Sequence, residues 1–380
     1  ITASGVVSST YNGSDVSCFG AVDGEITITA AGGTGTLTYV LDQDVANVTG
    51  SASGVFTGLI AGNYTVTVTD DNGCNTTTAN ITVSNPPAIT ATASVTSSYS
   101  GSHISCNGAS DGELTVTAGG GTGTLTYLLV EIPGNVTGAA SGVFTGVPAG
   151  SYTITVTDDN GCNVSTTPVT VNEPTAVTAT AAVTSDYNGS DLSCFGLSDG
   201  MIEVTASGGT GALGYVLNEI PGNTTGNLTG IYTGIPSGVY TFTVTDANGC
   251  FVVTAPVTVS DPVQVTATAA ITSNYNGSEV SCTGSADGEI TVTAAGGTGL
   301  LTYTLIEQPG NTTGAASGVF TGVAAGSYTV NVADVNGCAV VTVPVVIDNP
   351  PAVTGTALVT SDYNGSDVSC NGASDGEITV

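Results

Sequence analysis

Not one lysine or arginine occurs in these 380 residues, against 30 aspartates and glutamates and a single histidine, so the formal charge is −30. That absence excludes nucleic acid as a partner, because neutralising phosphate needs cations, and it makes anionic lipid repulsive for the same reason. It also removes Lys nucleophiles, Arg clamps on phosphate and Lys-to-Asn isopeptide cross-links, and leaves trypsin nothing to cut. No run of 18 apolar residues is present, so no segment reads as a membrane-spanning helix, and signals for secretion or anchoring are expected outside these residues. Aromatics are few, at 6%. Yet only 8% of residues are charged and 40% are apolar, the balance of a folded chain and not of an acidic disordered tail.

What the chain has in plenty is repetition. Cys18, Cys106, Cys194, Cys282 and Cys370 stand 88 residues apart, and so do Cys74, Cys162, Cys250 and Cys338. Prolines recur in register at Pro86, Pro174, Pro262 and Pro350. The chain therefore reads as one module repeated, with bounds at 1–86, 87–174, 175–262 and 263–350 and the start of a fifth at 351–380. The fifth stops in mid-strand, which suggests an excerpt of a longer chain and a partner for Cys370 beyond it.

Paired cysteines at fixed spacing in small modules point to disulfides and an oxidising, extracellular setting. Cys18, Cys74, Cys106, Cys162, Cys194, Cys250, Cys282 and Cys338 are the candidates. The expected pairing lies within a module, Cys18 with Cys74, where closing the loop contributes about 4 kcal/mol on the chain-entropy estimate. The alternative, Cys74 with Cys106, crosses a junction and chains modules together. A staple of either kind compensates for a thin core.

Alternation of period two dominates and helical periodicity is missing, so the module is all-β. In Tyr64-Thr65-Val66-Thr67-Val68-Thr69-Asp70 the apolar side chains face one way and the threonines the other, as in a strand half buried against a second sheet. Further strands are expected at Ile1 to Ser8, Glu25 to Ala30, Leu37 to Leu41, Gly54 to Leu59 and Ala79 to Val83. The second and third of these read as a hairpin joined by Gly32-Gly33-Thr34-Gly35. About seven strands make an immunoglobulin-like sandwich. Short Pro-containing junctions are semi-rigid, so the array is expected to form an elongated rod of units each about 35 Å long.

Several residues invite a functional reading. The Asp-x-Asn-Gly turns at Asp70, Asp158, Asp246 and Asp334 offer oxygen ligands for Ca²⁺, but no Glu follows at the spacing of a calcium loop and a plain turn is the simpler account, so no cofactor is expected. Gly32-Gly33-Thr34-Gly35 lacks the Lys and the helix of a phosphate cradle. His103 stands where the other modules have Asp15, Asp191, Glu279 and Asp367, a surface polar position. No module repeats a Ser and His pair, and carboxylate pairs such as Asp15 with Asp23 would not recur in every bead of a glycosidase, so no enzyme is expected. Tyr64, after a Gly-x turn, looks like a tyrosine corner. Tyr11, Tyr99, Tyr187, Tyr275 and Tyr363 precede polar loops and are the candidate surface contacts, either for a carbohydrate or neighbouring chain or for the next module. Asn-x-Ser/Thr sites such as Asn47-Val48-Thr49 and the exposed threonine faces would suit attached sugars.

The run Cys18-Phe19-Gly20, Asp23-Gly24-Glu25-Ile26, Gly32-Gly33-Thr34-Gly35 with Tyr39, Phe56-Thr57-Gly58-Leu59, Gly62-Asn63-Tyr64 and Asp70-Asp71-Asn72-Gly73-Cys74 resembles the SprB repeat. It recurs in all four full modules and opens again at Cys370-Asn371-Gly372. The resemblance implies export to the cell surface and a part in bacterial adhesion or gliding motility. The leading expectation is thus a non-enzymatic stalk or filament of a surface adhesin. Alternatives are an array binding glycan or Ca²⁺ by avidity and a self-associating extracellular fibre subunit. Partners follow: neighbouring repeats, other copies of the chain, or surface polysaccharide.

Overall fold

The computed structural model describes residues 1–380, and its regular structure is entirely strand. The first module has eight strands: β1 (Thr2–Val7), β2 (Gly24–Ala31), β3 (Thr38–Leu41), β4 (Val55–Leu59), β5 (Gly62–Tyr64), β6 (Val66–Thr69), β7 (Asn75–Thr77) and β8 (Ile81–Val83). They form one sheet in the order β1-β2-β4, a second in the order β3-β6-β7, and a two-stranded extension of β5 with β8. Sequential strands divided in this way between two sheets make an immunoglobulin-like sandwich. The same order recurs in the modules opening at Thr90, Thr178 and Thr266.

The core follows from alternation. Ile26 and Ile28 point inward from β2, and Leu41, Val66 and Val68 meet them from the facing sheet, with the outward positions of β6 taken by Thr67 and Thr69. Strand β4 departs from period two: Phe56 and Leu59 are both buried although three residues apart. Gly58, at φ 71°, allows a bulge there, and the β2–β4 register shifts beside it.

Eight strands are found where about seven were expected: the stretch from Gly62 to Thr69 is divided at Thr65 into β5 and β6, and the stretch from Asn75 to Val83 is divided at 78–80 into β7 and β8. Thr78 bridges the break: its hydroxyl accepts from Val66 N at 3.0 Å and its own N–H donates to Val66 O. It is buried, as are Thr166, Thr254 and Thr342 at the same place. Tyr64 does act as a tyrosine corner, its hydroxyl donating to Ile60 O at 2.8 Å, and Tyr152 and Tyr240 repeat this with Pro148 and Pro236.

One local expectation is corrected. Gly32–Gly35 does not close a hairpin, since β2 pairs with β1 and β4 while β3 pairs with β6. The glycines instead carry the chain from one sheet to the other. Gly32, Gly33 and Gly35 all have positive φ, and a Cβ on Gly33 would lie 3.1 Å from that of Asp70. Strand β1 pairs within its own module.

The chain divides into two compact units. One comprises Ile1–Ala179, Ala206–Gly214 and Val244–Val252; the other comprises Thr180–Thr205, Tyr215–Thr243 and Val253–Val380. The first holds the cores of modules one and two together with the turn of module three that carries Cys250. The second holds the core of module four and the loop that carries Cys194. The fifth module contributes only the pair Leu358–Val359 with Ile378–Thr379.

Candidate functional site

The residues that recur with chemistry attached converge on the junctions between modules. The first junction is built from the long loop between β1 and β2. Tyr11 and Ser14 exchange backbone hydrogen bonds at 2.8 and 3.0 Å across Asn12-Gly13, and Asn12 sits at φ 48°, a left-handed conformation that Asn tolerates better than most residues. Asp23 braces the far side, accepting from Ser17 N at 3.1 Å, while its carbonyl accepts the Tyr11 hydroxyl at 3.0 Å.

This loop holds two things at once. It clasps the linker: Asp15 Oδ2 accepts from Ser84 N at 2.8 Å and from its hydroxyl, and Asn85 Oδ1 accepts from Gly20 N at 2.9 Å. It also grips the next module through Asn160, whose Nδ2 donates to Ser17 O at 3.0 Å and Tyr11 O at 3.3 Å. Asn160 Oδ1 in turn accepts from Asn12 Nδ2 at 2.6 Å. The Ser14 and Thr122 hydroxyls lie 3.4 Å apart.

A disulfide seals the contact, and it is neither of the pairings expected. Cys18 bonds to Cys162, Cys106 to Cys250 and Cys194 to Cys338, each across a separation of 144 residues. Cys74 and Cys282 are free and exposed, as is Cys370. The physical reason lies in the register of the junction: the loop cysteine of one module, Cys18, Cys106 or Cys194, is brought against the turn cysteine of the next, Cys162, Cys250 or Cys338. The bond at a Cα–Cα distance of 5.7 Å is of ordinary geometry.

The turn that presents Asn160 is rigid because of Asp158. Its Oδ1 accepts from Asn160 N at 3.0 Å and Cys162 N at 2.9 Å, and its Oδ2 accepts from Thr122 N at 2.9 Å. Asp70, Asp246 and Asp334 do the same, and all four are buried. Hydrogen bonds from Thr34, Cys74 and Asn72 hold the Asp70 carboxyl below the usual range. Burial pushes Asp246 up, and the N–H groups of Thr210, Cys250 and Asn248 outweigh it. The four carboxylates considered for Ca²⁺ are thus engaged by backbone donors.

The tyrosines singled out as surface contacts serve the junction through their backbone. The hydroxyls of Tyr11, Tyr99, Tyr187, Tyr275 and Tyr363 donate to an Asp carbonyl of their own loop, while the carbonyls of Tyr11, Tyr99 and Tyr187 receive the clamping Asn of the next module. His103 takes over the clasp, its Nδ1 accepting from Asn172 N at 2.9 Å just as Asp191 and Glu279 accept from Ser260 N and Asp348 N. The sequence showed that position as polar but not what it held, because its partner is a backbone N–H 69 residues away. The Asn47-Val48-Thr49 site proves to be a bracket: Asn47 Nδ2 donates to Thr57 O, and Thr49 links Asn47 Oδ1 to Thr57 N.

The SprB repeat model matches residues 10–46, 102–130, 187–220 and 274–308. No curated relative matches the chain in sequence. Similar solved structures include extracellular domains 3-5 of Drosophila OTK, at 13% identity over 64% of this chain and 92% of that one with a TM-score of 0.23. Murine CEACAM1b matches at 11% identity over 45% and 100%, with a TM-score of 0.21. Fibronectin(III)-like modules of Clostridium thermocellum CbhA match at 17% identity over 44% and 92%, with a TM-score of 0.22. Four stretches of this chain, one in each full module and each opening within the loop between that module's first two strands, match the SprB repeat.

Proposed function

We propose that the array is a non-enzymatic, load-bearing stalk or filament segment of a bacterial surface adhesin, exposed outside the cell and of the adhesion or gliding type. The observation that carries this reading is the double covalent crossing of every junction between full modules, once by the peptide linker and once by a disulfide. Structural disulfides of this kind form and persist chiefly in oxidising compartments. Polar clamps and clasps at the same places resist bending and twisting, which a holder of distance needs and a freely hinged binding array does not. The uniform negative charge keeps near-identical modules from pairing edge to edge. A calcium-binding role draws less support, because the candidate carboxylates already accept N–H donors.

Immunogold labelling of intact cells with an antibody raised against the array tests the proposal. Label on threads projecting from the cell surface is the expected result. Label confined to the cell interior would refute it.

A further inference from the structure

The three disulfides interlock. The loop closed by Cys18 and Cys162 overlaps the one closed by Cys106 and Cys250, which overlaps that of Cys194 and Cys338. We infer a further function for this network, that of a fail-safe tether: any single peptide bond between Cys18 and Cys338 can be cut, and the chain remains one covalent molecule. A nick at residue 50 is bridged by the first bond, one at 180 by the second, and one at 300 by the third. Pairing within modules would give the opposite result, because every linker would be a single point of failure.

The same circuit limits extension. The shortest covalent track from Cys18 to Cys338 crosses to Cys162, follows the chain to Cys194 and crosses again. That track holds the strands Asn163–Ser165 and Val169–Val171, the linker at Pro174 and the strand Thr178–Val183. The other strands between the two end cysteines hang beside it as loops, so their unfolding releases no length along the line of pull. About 35 residues bear the load where a reduced chain would pay out about 320, roughly a ninefold difference in contour at ~3.4 Å per residue. The inference concerns connectivity alone and stands whether or not the protein is a surface stalk.

The sequence supplies its own test. Asp261-Pro262, in the third linker, is the chain's one Asp-Pro bond. Mild acid hydrolyses this bond selectively, the Asp carboxyl attacking its own carbonyl carbon as the proline nitrogen leaves, and at that pH thiolates are too scarce to shuffle disulfides. The cleaved native chain should run as one species of 36.9 kDa plus one water without reductant, and as residues 1–261 and 262–380 with it. Two fragments without reductant would overturn the inference. Single-molecule pulling from handles placed beside Cys18 and Cys338 gives a second readout: a fully stretched contour about nine times greater after reduction supports the tether, and an unchanged one refutes it.

Discussion

The first and second junctions are built to one plan and differ in strength. At the first, Asn12 donates to Asn160 at 2.6 Å; at the second, Ser100 stands in its place and reaches Asn248 only at 3.2 Å. Ser100 must also hold a left-handed φ of 50° that suits Asn better. Ser14 meets Thr122, whereas the equivalent Thr210 hydroxyl is buried with no partner. Asp159 caps Thr124 through three hydrogen bonds, and Ala247 and Ala212 occupy those two positions in the third module. What survives the drift is the disulfide, the clamping Asn and the clasp on the linker. These are therefore the parts that define a junction, and the hydroxyl and Asn-Asn contacts adjust its strength.

Removing a disulfide is the severest way to probe that contrast. The double variant Cys106→Ser with Cys250→Ser should lose about 2–5 kcal/mol of stability, and its junction should open before that of Cys18→Ser with Cys162→Ser in hydrogen exchange. Equal protection in the two variants would erase the distinction between the junctions. Asn160→Ala comes next, at about 2–3 kcal/mol for two donated bonds and one accepted, with Asn248→Ala costing less because its contacts are longer. Thermal melts of the full chain decide this, and a larger loss for Asn248→Ala would reverse the ranking.

Repair should run the other way. Thr210→Val removes a buried unpaired hydroxyl and should gain about 1 kcal/mol, and Ser100→Asn should gain somewhat less. Neither change should help if the second junction is already optimal. Acid gives the mildest and broadest effect. Asp70, Asp246 and Asp261 have folded carboxyls held below their ordinary values, the last by the Ser237 hydroxyl and Gly196 N–H. Their contribution is present above the unfolded pKa and is lost as pH falls toward the folded one, so the melting temperature should drop progressively below about pH 4. A flat profile down to pH 2 would count against these brackets.

Much of this architecture is legible without coordinates. The 88-residue period, the strand at Tyr64 and the tyrosine corner follow from spacing and alternation. The arch at Gly32–Gly35 reads as a hairpin in sequence because the same glycines at positive φ serve a hairpin and a crossover between sheets equally well, and only the partner of β3 tells them apart. The disulfide partners were hidden by the repetition itself. Two ladders of equal step are compatible with any offset, so Cys18 with Cys74 and Cys18 with Cys162 differ by one whole period and look alike in sequence. The clasp at Asp15 and the grip of Asn160 were invisible for a related reason: their partners are backbone groups, which carry no sequence signal.

The central claim is that junctions between modules, and not the modules themselves, are what the cysteines hold. Mass spectrometric mapping of disulfide-linked peptides after peptic digestion at low pH tests it directly. The expected peptides join Cys18 to Cys162, Cys106 to Cys250 and Cys194 to Cys338; peptides joining Cys18 to Cys74 and Cys106 to Cys162 would contradict it.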